Sequence, residues 1–329
     1  MSGLDALGEF GLIKALTGGL PETSRLLCGP GDDCAVVQLG GGQVLLSCDA
    51  MVEGIHFRRD WMSPEDIGWK AGAAALSDIA AMGGVARCIL VTLGCASDTD
   101  PVFLKGLYAG IAAVVSEYGV AVAGGDTVRT REGVFLDVAV VGEMEDGITP
   151  RHRSNARPGD IIAVTGCPGS AALGLHALEQ GDITPATLIE AHTRPRPRLA
   201  EGAWLARESA AHAMIDISDG IASDLGHIAE RSSVHIEIET AALPVSPEMR
   251  VYAKKTGRAV EAFALGGGED YELVVTLAAD EATALRERFV ATFDLPFSFI
   301  GVAQPGAAGV FLDGSPVGRQ GYDHFSTGK

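Results

Sequence analysis

Short apolar runs in this chain keep ending at an aspartate, usually with glycine alongside. Val44-Leu45-Leu46-Ser47-Cys48 runs into Asp49, Val120-Ala121-Val122-Ala123 into Gly124-Gly125-Asp126, and residues 213–217 carry Asp216 and lead to Ser218-Asp219. Gly29-Pro30-Gly31-Asp32-Asp33 is the reverse case, an acidic turn opening onto the apolar Cys34-Ala35-Val36-Val37. Helical stretches lie between these segments. Residues 66–82 are rich in alanine and stop at Gly83-Gly84, a glycine terminus, and residues 102–118 form a second helix. A short amphipathic helix is expected at 7–13, further helices at 198–209 and 219–230, and strands at 87–93, 135–142, 161–165, 235–238 and 271–276. Residues 166–173 read as a turn that opens a helix. This alternation in both halves predicts an α/β or α+β architecture with two lobes. The texture changes near residue 150, where residues 149–160 are basic and turn-rich, so two domains are expected, 1–148 and 149–329.

The acidic positions Asp32-Asp33, Asp49, Asp78, Asp126 and Asp216-Ile217-Ser218-Asp219 are expected mostly at element ends. Loop carboxylates with glycine neighbours suit Mg²⁺, a hard cation that takes oxygen ligands and keeps some water. Each aspartate alone also has a structural reading: Asp beside Gly is a routine turn, Asp49 ends a strand, and Asp219 caps the next helix. Asp78 resists such a reading, because it lies inside an alanine-rich helix where Asp has poor propensity. Gathered in one cleft, these carboxylates would repel one another and raise one another's pKa values, a cost that divalent cations remove.

The formal net charge of −18 argues against nucleic acid as a partner, since phosphate backbones need clustered Lys and Arg. It still permits phosphate ligands with divalent metal between the two sets of charge. There is no G-x-x-x-x-G-K-[ST] loop, and the Gly-x-Gly-x-x-Gly fingerprint is missing after the first strands. Gly124-Gly125-Asp126-Thr127 and Gly266-Gly267-Gly268-Glu269-Asp270 are glycine turns ending in acids; such turns can offer backbone N–H groups to phosphate beside a metal-holding acid, and they are equally ordinary turns. The six cysteines form no CxxC pair, which fits reduced thiols and not a disulfide framework or zinc site. No basic-then-apolar leader and no run of 18 apolar residues is evident, so a cytoplasmic protein is expected.

In order along nearly the whole chain, a set of motifs resembles the thiamine-monophosphate kinase family. They are Gly8-Glu9-Phe10, Gly31-Asp32-Asp33-Cys34-Ala35, Gly54-Ile55-His56-Phe57, Leu76-Ser77-Asp78-Ile79-Ala80-Ala81-Met82-Gly83, Gly124-Gly125-Asp126-Thr127 and Arg157-Pro158-Gly159-Asp160. Residues 215–225, Gly267-Gly268-Glu269-Asp270-Tyr271-Glu272-Leu273 and Gly321-Tyr322-Asp323-His324-Phe325 complete the set. The resemblance implies the aminoimidazole ribonucleotide synthetase-like fold, with an N-terminal α+β domain that forms a homodimer and a C-terminal α/β domain. It implies transfer of the ATP γ-phosphoryl group to thiamine monophosphate, giving thiamine diphosphate. By matching position, Asp33, Asp49, Asp78, Asp126 and Asp216 look like Mg²⁺ ligands, assisted by Ser47 and the backbone of Cys48, with Asp219 a further metal contact. Tyr108, Gly125, Asp126, Arg153 and Ser218 would touch ATP, and His56, Glu269 and Tyr322 the thiamine substrate. Asp49, Asp126 and Asp216 would carry catalysis. One departure is Cys48, where the family commonly has Thr.

The implied chemistry fits the residues. A phosphate monoester acceptor is mostly ionised near neutral pH, so no general base is required, in keeping with the lack of a His–acid or Lys base beside the acidic motifs. Mg²⁺ and Arg153 would relieve the repulsion between two anions. His56 also reads as a structural turn histidine and Tyr322 as packing. The alternatives are another ATP-using enzyme of the same superfamily, or a non-catalytic nucleotide- or metal-binding protein.

Overall fold

The computed structural model describes residues 4–20, 23–317, 321, 322 and 324, arranged as two sheets that share one buried helix. The first sheet contains β1 (Leu26–Cys28), β2 (Ala35–Leu39), β3 (Gly42–Val52), β4 (Val85–Cys95), β5 (Ala121–Arg129) and β6 (Val134–Glu143), in the order β1-β2-β3-β6-β4-β5. Its helices are α1 (Leu4–Thr17), α2 (Pro64–Met82) and α3 (Pro101–Glu117), the last carrying the chain from β4 to the parallel β5. The second sheet contains β7 (Ile161–Thr165), β8 (Ala211–Asp216), β9 (His235–Ile238), β10 (Leu273–Leu277), β11 (Phe297–Gln304), β12 (Gly309–Leu312) and β13 (Ser315–Pro316), in the order β13-β12-β9-β11-β7-β10-β8. With it go α4 (Ser170–Glu179), α5 (Ala186–Thr193), α6 (Leu199–Ala206), α7 (Ile221–Ser232), α8 (Pro247–Thr256), α9 (Val260–Gly266) and α10 (Ala282–Phe293). Strands and helices alternate here as expected, yet β12 with β9 is the one parallel pair among those described.

Helix α2 starts where Ser63 caps it, its hydroxyl accepting from the Asp66 N–H at 3.1 Å, with Pro64 at the first turn. It stops at Gly83, which is left-handed at φ 73°. Almost all of its surface is buried, because small residues let neighbours close in on every side. A Cβ on Gly68 would lie 1.9 Å from the Leu107 carbonyl of α3, and one on Gly202 of α6 would lie 2.1 Å from the Ala80 carbonyl. The alanine richness of 66–82 thus reflects close packing against both halves of the chain.

Two expectations change. Strand β3 continues through Asp49 to Val52, so Asp49 lies inside a strand and does not end one. Strand β5 runs unbroken through Gly124-Gly125-Asp126, which is therefore not a loop. The glycines serve a close approach: a Cβ on Gly125 would sit 1.9 Å from the Val91 carbonyl of β4.

Alternation along β3 turns Leu45, Ser47, Asp49 and Met51 toward α2 and leaves Leu46, Cys48 and Val52 on the opposite, exposed face. Leu90 of β4 is exposed as well, and every residue of the edge strand β5 is exposed, including Val122 and Val128.

Candidate functional site

Three carboxylates from three elements meet at the junction of the two sheets. Asp33 follows the Gly31 turn, Asp78 projects from α2 and Asp216 ends β8; one oxygen from each lies within 4.8 Å of the others. The Ser47 hydroxyl of β3 donates to Asp78 Oδ2, and the Ser77 hydroxyl donates to Asp216 Oδ2 at 2.5 Å. Arg153, in the 3₁₀ turn Arg153–Asn155, grips Asp33 with a two-pronged guanidinium at 2.7 and 3.2 Å. Asp49 of β3 is close enough to Asp78 and Asp33 to feel both carboxylates.

Burial and mutual repulsion dominate the electrostatics. Burial pushes Asp78 well above the usual carboxylate range, and Asp49, Asp216 and Asp33 push it further. Asp216 is raised by burial and by Asp33, against the Ser77 hydrogen bond. Asp49 is raised to about 6 by burial and then by Asp137. Burial lifts Asp33 too, and the Arg153 fork limits that rise. Such a buried, oxygen-only donor set is the chemistry a small divalent cation takes.

A second group lies around the acceptor-side residues named above. The His56 ring accepts the Val52 N–H at 3.0 Å, and its centroid lies 4.9 Å from that of His324, which stands 4.9 Å from Tyr322 edge-on. The tail thus folds back onto the turn after β3; Asp323 and Phe325 lie outside the described residues. Glu269 is close enough to influence the titration of both His56 and Tyr322. It occupies a tight loop in which Glu269 and Tyr271 have positive φ, 64° and 52°. That loop is laced to residues 217–218: the Glu269 N–H donates to the Ser218 carbonyl at 2.8 Å and the Tyr271 N–H to the Ile217 carbonyl at 2.9 Å.

Other expected residues stand apart. Asp219 groups with Asp224 and His227, their ligand atoms within 4.8 Å of one another, and not with the central three. Asp126 and Gly125 lie on the exposed β5. In the sheet order β5 is three strand spacings from β3, about 14 Å. Tyr108, on α3, is 38% exposed. The Cys48 side chain points to the face opposite Ser47 and Asp49, so only its backbone can serve the site.

Two residues beside the site escape motif reading from spacing. Lys70 of α2 is fully buried and pairs with Glu269 at 2.7 Å. His192 of α5 stands 3.4 Å from each of them. Unlike Asp78, lysine is a good helix former, so propensity gives no signal for Lys70. Near Asp33, Cys28, Asp32 and His152 form a third donor group within 4.8 Å, with His152 2.8 Å from Asp32.

Residues 31–144 match the family model for the AIR synthase related protein N-terminal domain, and residues 157–313 that for its C-terminal domain. The chain is 37% identical to the thiamine-monophosphate kinase of Bacillus subtilis over 331 residues, covering 97% of this chain and 100% of that protein. The chain belongs to the thiamine-monophosphate kinase family. Another member, the thiamine-monophosphate kinase of Escherichia coli K12, is 36% identical, with 98% of this chain and 99% of the relative covered. Among solved structures, AaThiL complexed with AMPPCP and TMP superposes with a TM-score of 0.87 at 34% identity, over 98% of this chain and 99% of that one. The AIR synthase-like two-domain α+β fold expected from the motifs is the fold observed. A HypE–HypF complex structure, at 18% identity and a TM-score of 0.73, shares that fold.

Proposed function

We propose that this chain phosphorylates thiamine monophosphate to thiamine diphosphate, transferring the ATP γ-phosphoryl group directly, in line, onto the substrate's phosphate. The observation that carries this reading is the meeting of Asp33, Asp78 and Asp216 near a second group formed by His56, Tyr322 and Glu269, in a chain of that kinase family. The acceptor is a phosphate dianion, itself the nucleophile, so the chain needs to orient and neutralise and need not remove a proton. Arg153 would supply a fixed guanidinium to the nucleotide phosphates, with Ser218, Gly125 and Tyr108 as further nucleotide contacts. Asp33, Asp49, Asp78 and Asp216, with Ser47 and the Cys48 carbonyl, would hold Mg²⁺, and Asp219 a further ion. When bound, Mg²⁺ supplies bridging positive charge between nucleotide phosphates and acceptor.

Asp126 lies too far along the sheet to join that set within one chain. Its strand is an unpaired edge with exposed Val122 and Val128, next to the exposed face that carries Leu46 and Leu90. A homodimer that covers this face would bury Leu46, Leu90, Val122 and Val128, and Asp126 is kept as a proposed metal ligand in that assembly. The two domains are taken as 1–148 and 149–329, and the protein as cytoplasmic; none of the described helices is long and apolar enough to cross a membrane.

Incubation of the purified protein with ATP, Mg²⁺ and thiamine monophosphate, followed by separation of thiamine phosphates, tests the reading. Formation of thiamine diphosphate with matching ADP is expected. ATP turnover without thiamine diphosphate would move the chain to another ATP-using chemistry of the same fold.

A further inference from the structure

Lys70 is the largest fully buried side chain of the described residues, and it carries a charge. An ammonium is kept in such a place only when paired. Its partner is Glu269 Oε1 at 2.7 Å. The imidazole of His192 closes the third side, with Nε2 3.4 Å from the Lys70 ammonium and Nδ1 3.4 Å from Glu269 Oε2. A ring nitrogen facing an ammonium presents its lone pair, so the ring proton belongs on Nδ1, which lies near Glu269 without making a hydrogen bond. Burial and then the Lys70 charge push His192 down to about 3, so the ring is neutral and Lys70 alone balances the carboxylate.

Three separate elements converge here: α2, α5 and the loop after α9. That loop cannot hold its own shape cheaply. Glu269 sits at φ 64°, and a Cβ on Gly268 would lie 2.2 Å from the Ser218 carbonyl. We propose that Lys70 is a positioning residue for acceptor recognition, its sealed ammonium holding the Glu269 carboxylate in the strained loop toward the pocket of His56 and Tyr322. The inference rests on the reading of Glu269 as a contact to the thiamine substrate. It adds that the carboxylate arrives already neutralised from behind, as a directed hydrogen-bond acceptor for an N–H donor of the substrate. A bare counter-charge for the thiazolium is a poorer description. Besides Lys70 and His192, the groups facing Glu269 are His56, Asp270, Tyr271 and Tyr322.

The test is a double-mutant cycle on steady-state kinetics with thiamine monophosphate and ATP varied separately. Lys70→Met is expected to raise KM for thiamine monophosphate about tenfold or more while KM for ATP stays within about twofold. In the Glu269→Gln background, Lys70→Met should change neither, because its effect passes through the carboxylate. An equal rise in both KM values, or a full Lys70→Met effect in the Glu269→Gln background, would overturn the proposal. A Glu269→Gln enzyme with unaltered KM for thiamine monophosphate would instead overturn the underlying assignment of Glu269. If Lys70→Met alone fails to fold, the charge-balanced double variant against Glu269→Gln still decides: equal KM supports the role, a further rise refutes it.

Discussion

Ser77 on α2 donates a 2.5 Å hydrogen bond to Asp216 at the end of β8, joining two residues 139 positions apart in the chain. The bond holds the Asp216 carboxylate, which also contributes an oxygen to the cluster with Asp33 and Asp78. Ser77→Ala should raise the Mg²⁺ concentration needed for half-maximal turnover by roughly 10-fold, as removal of an outer hydrogen bond to a metal ligand does elsewhere. A titration of activity against Mg²⁺ measures this, and an unchanged midpoint refutes it.

Asp49→Asn and Asp126→Asn should each lower kcat by about 100-fold or more, since an amide is a weaker metal ligand than a carboxylate. The melting temperature should hold, because neither side chain is needed for packing. Near-normal turnover in either variant would remove that residue from the metal set.

Tyr322→Ala should raise KM for thiamine monophosphate more than KM for ATP, given its ring contact to His324 and, through it, to His56. Equal effects on the two substrates would reject its place in the acceptor pocket.

Two glycine substitutions should act in opposite directions. Gly68→Ala forces a Cβ to 1.9 Å from the Leu107 carbonyl and should cost about 3 kcal/mol or more, read by denaturant unfolding. Gly226→Ala, inside α7 with open space around it, should stabilise by about 0.5–1 kcal/mol. The same sign for both would mean that the α2–α3 contact is not as tight as described.

The Asp32 carboxylate, accepting from the ring, and then the neighbouring Cys28 raise His152 to about 9 from an ordinary 6.5. A histidine raised on folding stabilises the protein fully below its unfolded value and loses that contribution as pH climbs through the folded one. The melting temperature should therefore fall between about pH 6.5 and 9, by a few degrees at this size. His152→Asn should flatten that slope, which differential scanning calorimetry across the range would show.

Much of the site is legible in the order of the motifs, and some of it in elementary propensity. Asp78 stands out because an acid inside an alanine-rich helix has no local reason to be there. Lys70 lies in the same helix without breaking that rule, since lysine is a good helix former; its partner Glu269 lies far along the chain, and a lone Lys on a helix usually reads as solvent-facing. From sequence, Asp49 and Asp126 read as strand ends because glycine and aspartate punctuate turns; pairing with β6 and β4 overrides that local signal. Asp224 and His227 share a face of α7 by helical spacing and Asp219 lies just before that helix, but which carboxylates come together depends on contacts between distant elements. The antiparallel pairing in the second sheet is invisible for the same reason, since apart from β12 and β13 neighbouring strands there are not neighbours in sequence.

Helix α2 is claimed by both halves of the chain. It lies under β3 and β6 and against α3, yet it also touches α6, hydrogen-bonds β8 through Ser77, and through the Trp69 indole donates to the Pro195 carbonyl at 2.8 Å. A cut of the polypeptide near residue 148 would therefore produce no clean seam. The N-terminal fragment would present a wet stripe of alanine, tryptophan and an orphaned lysine, and should be recovered as aggregate unless the rest of the chain is supplied with it.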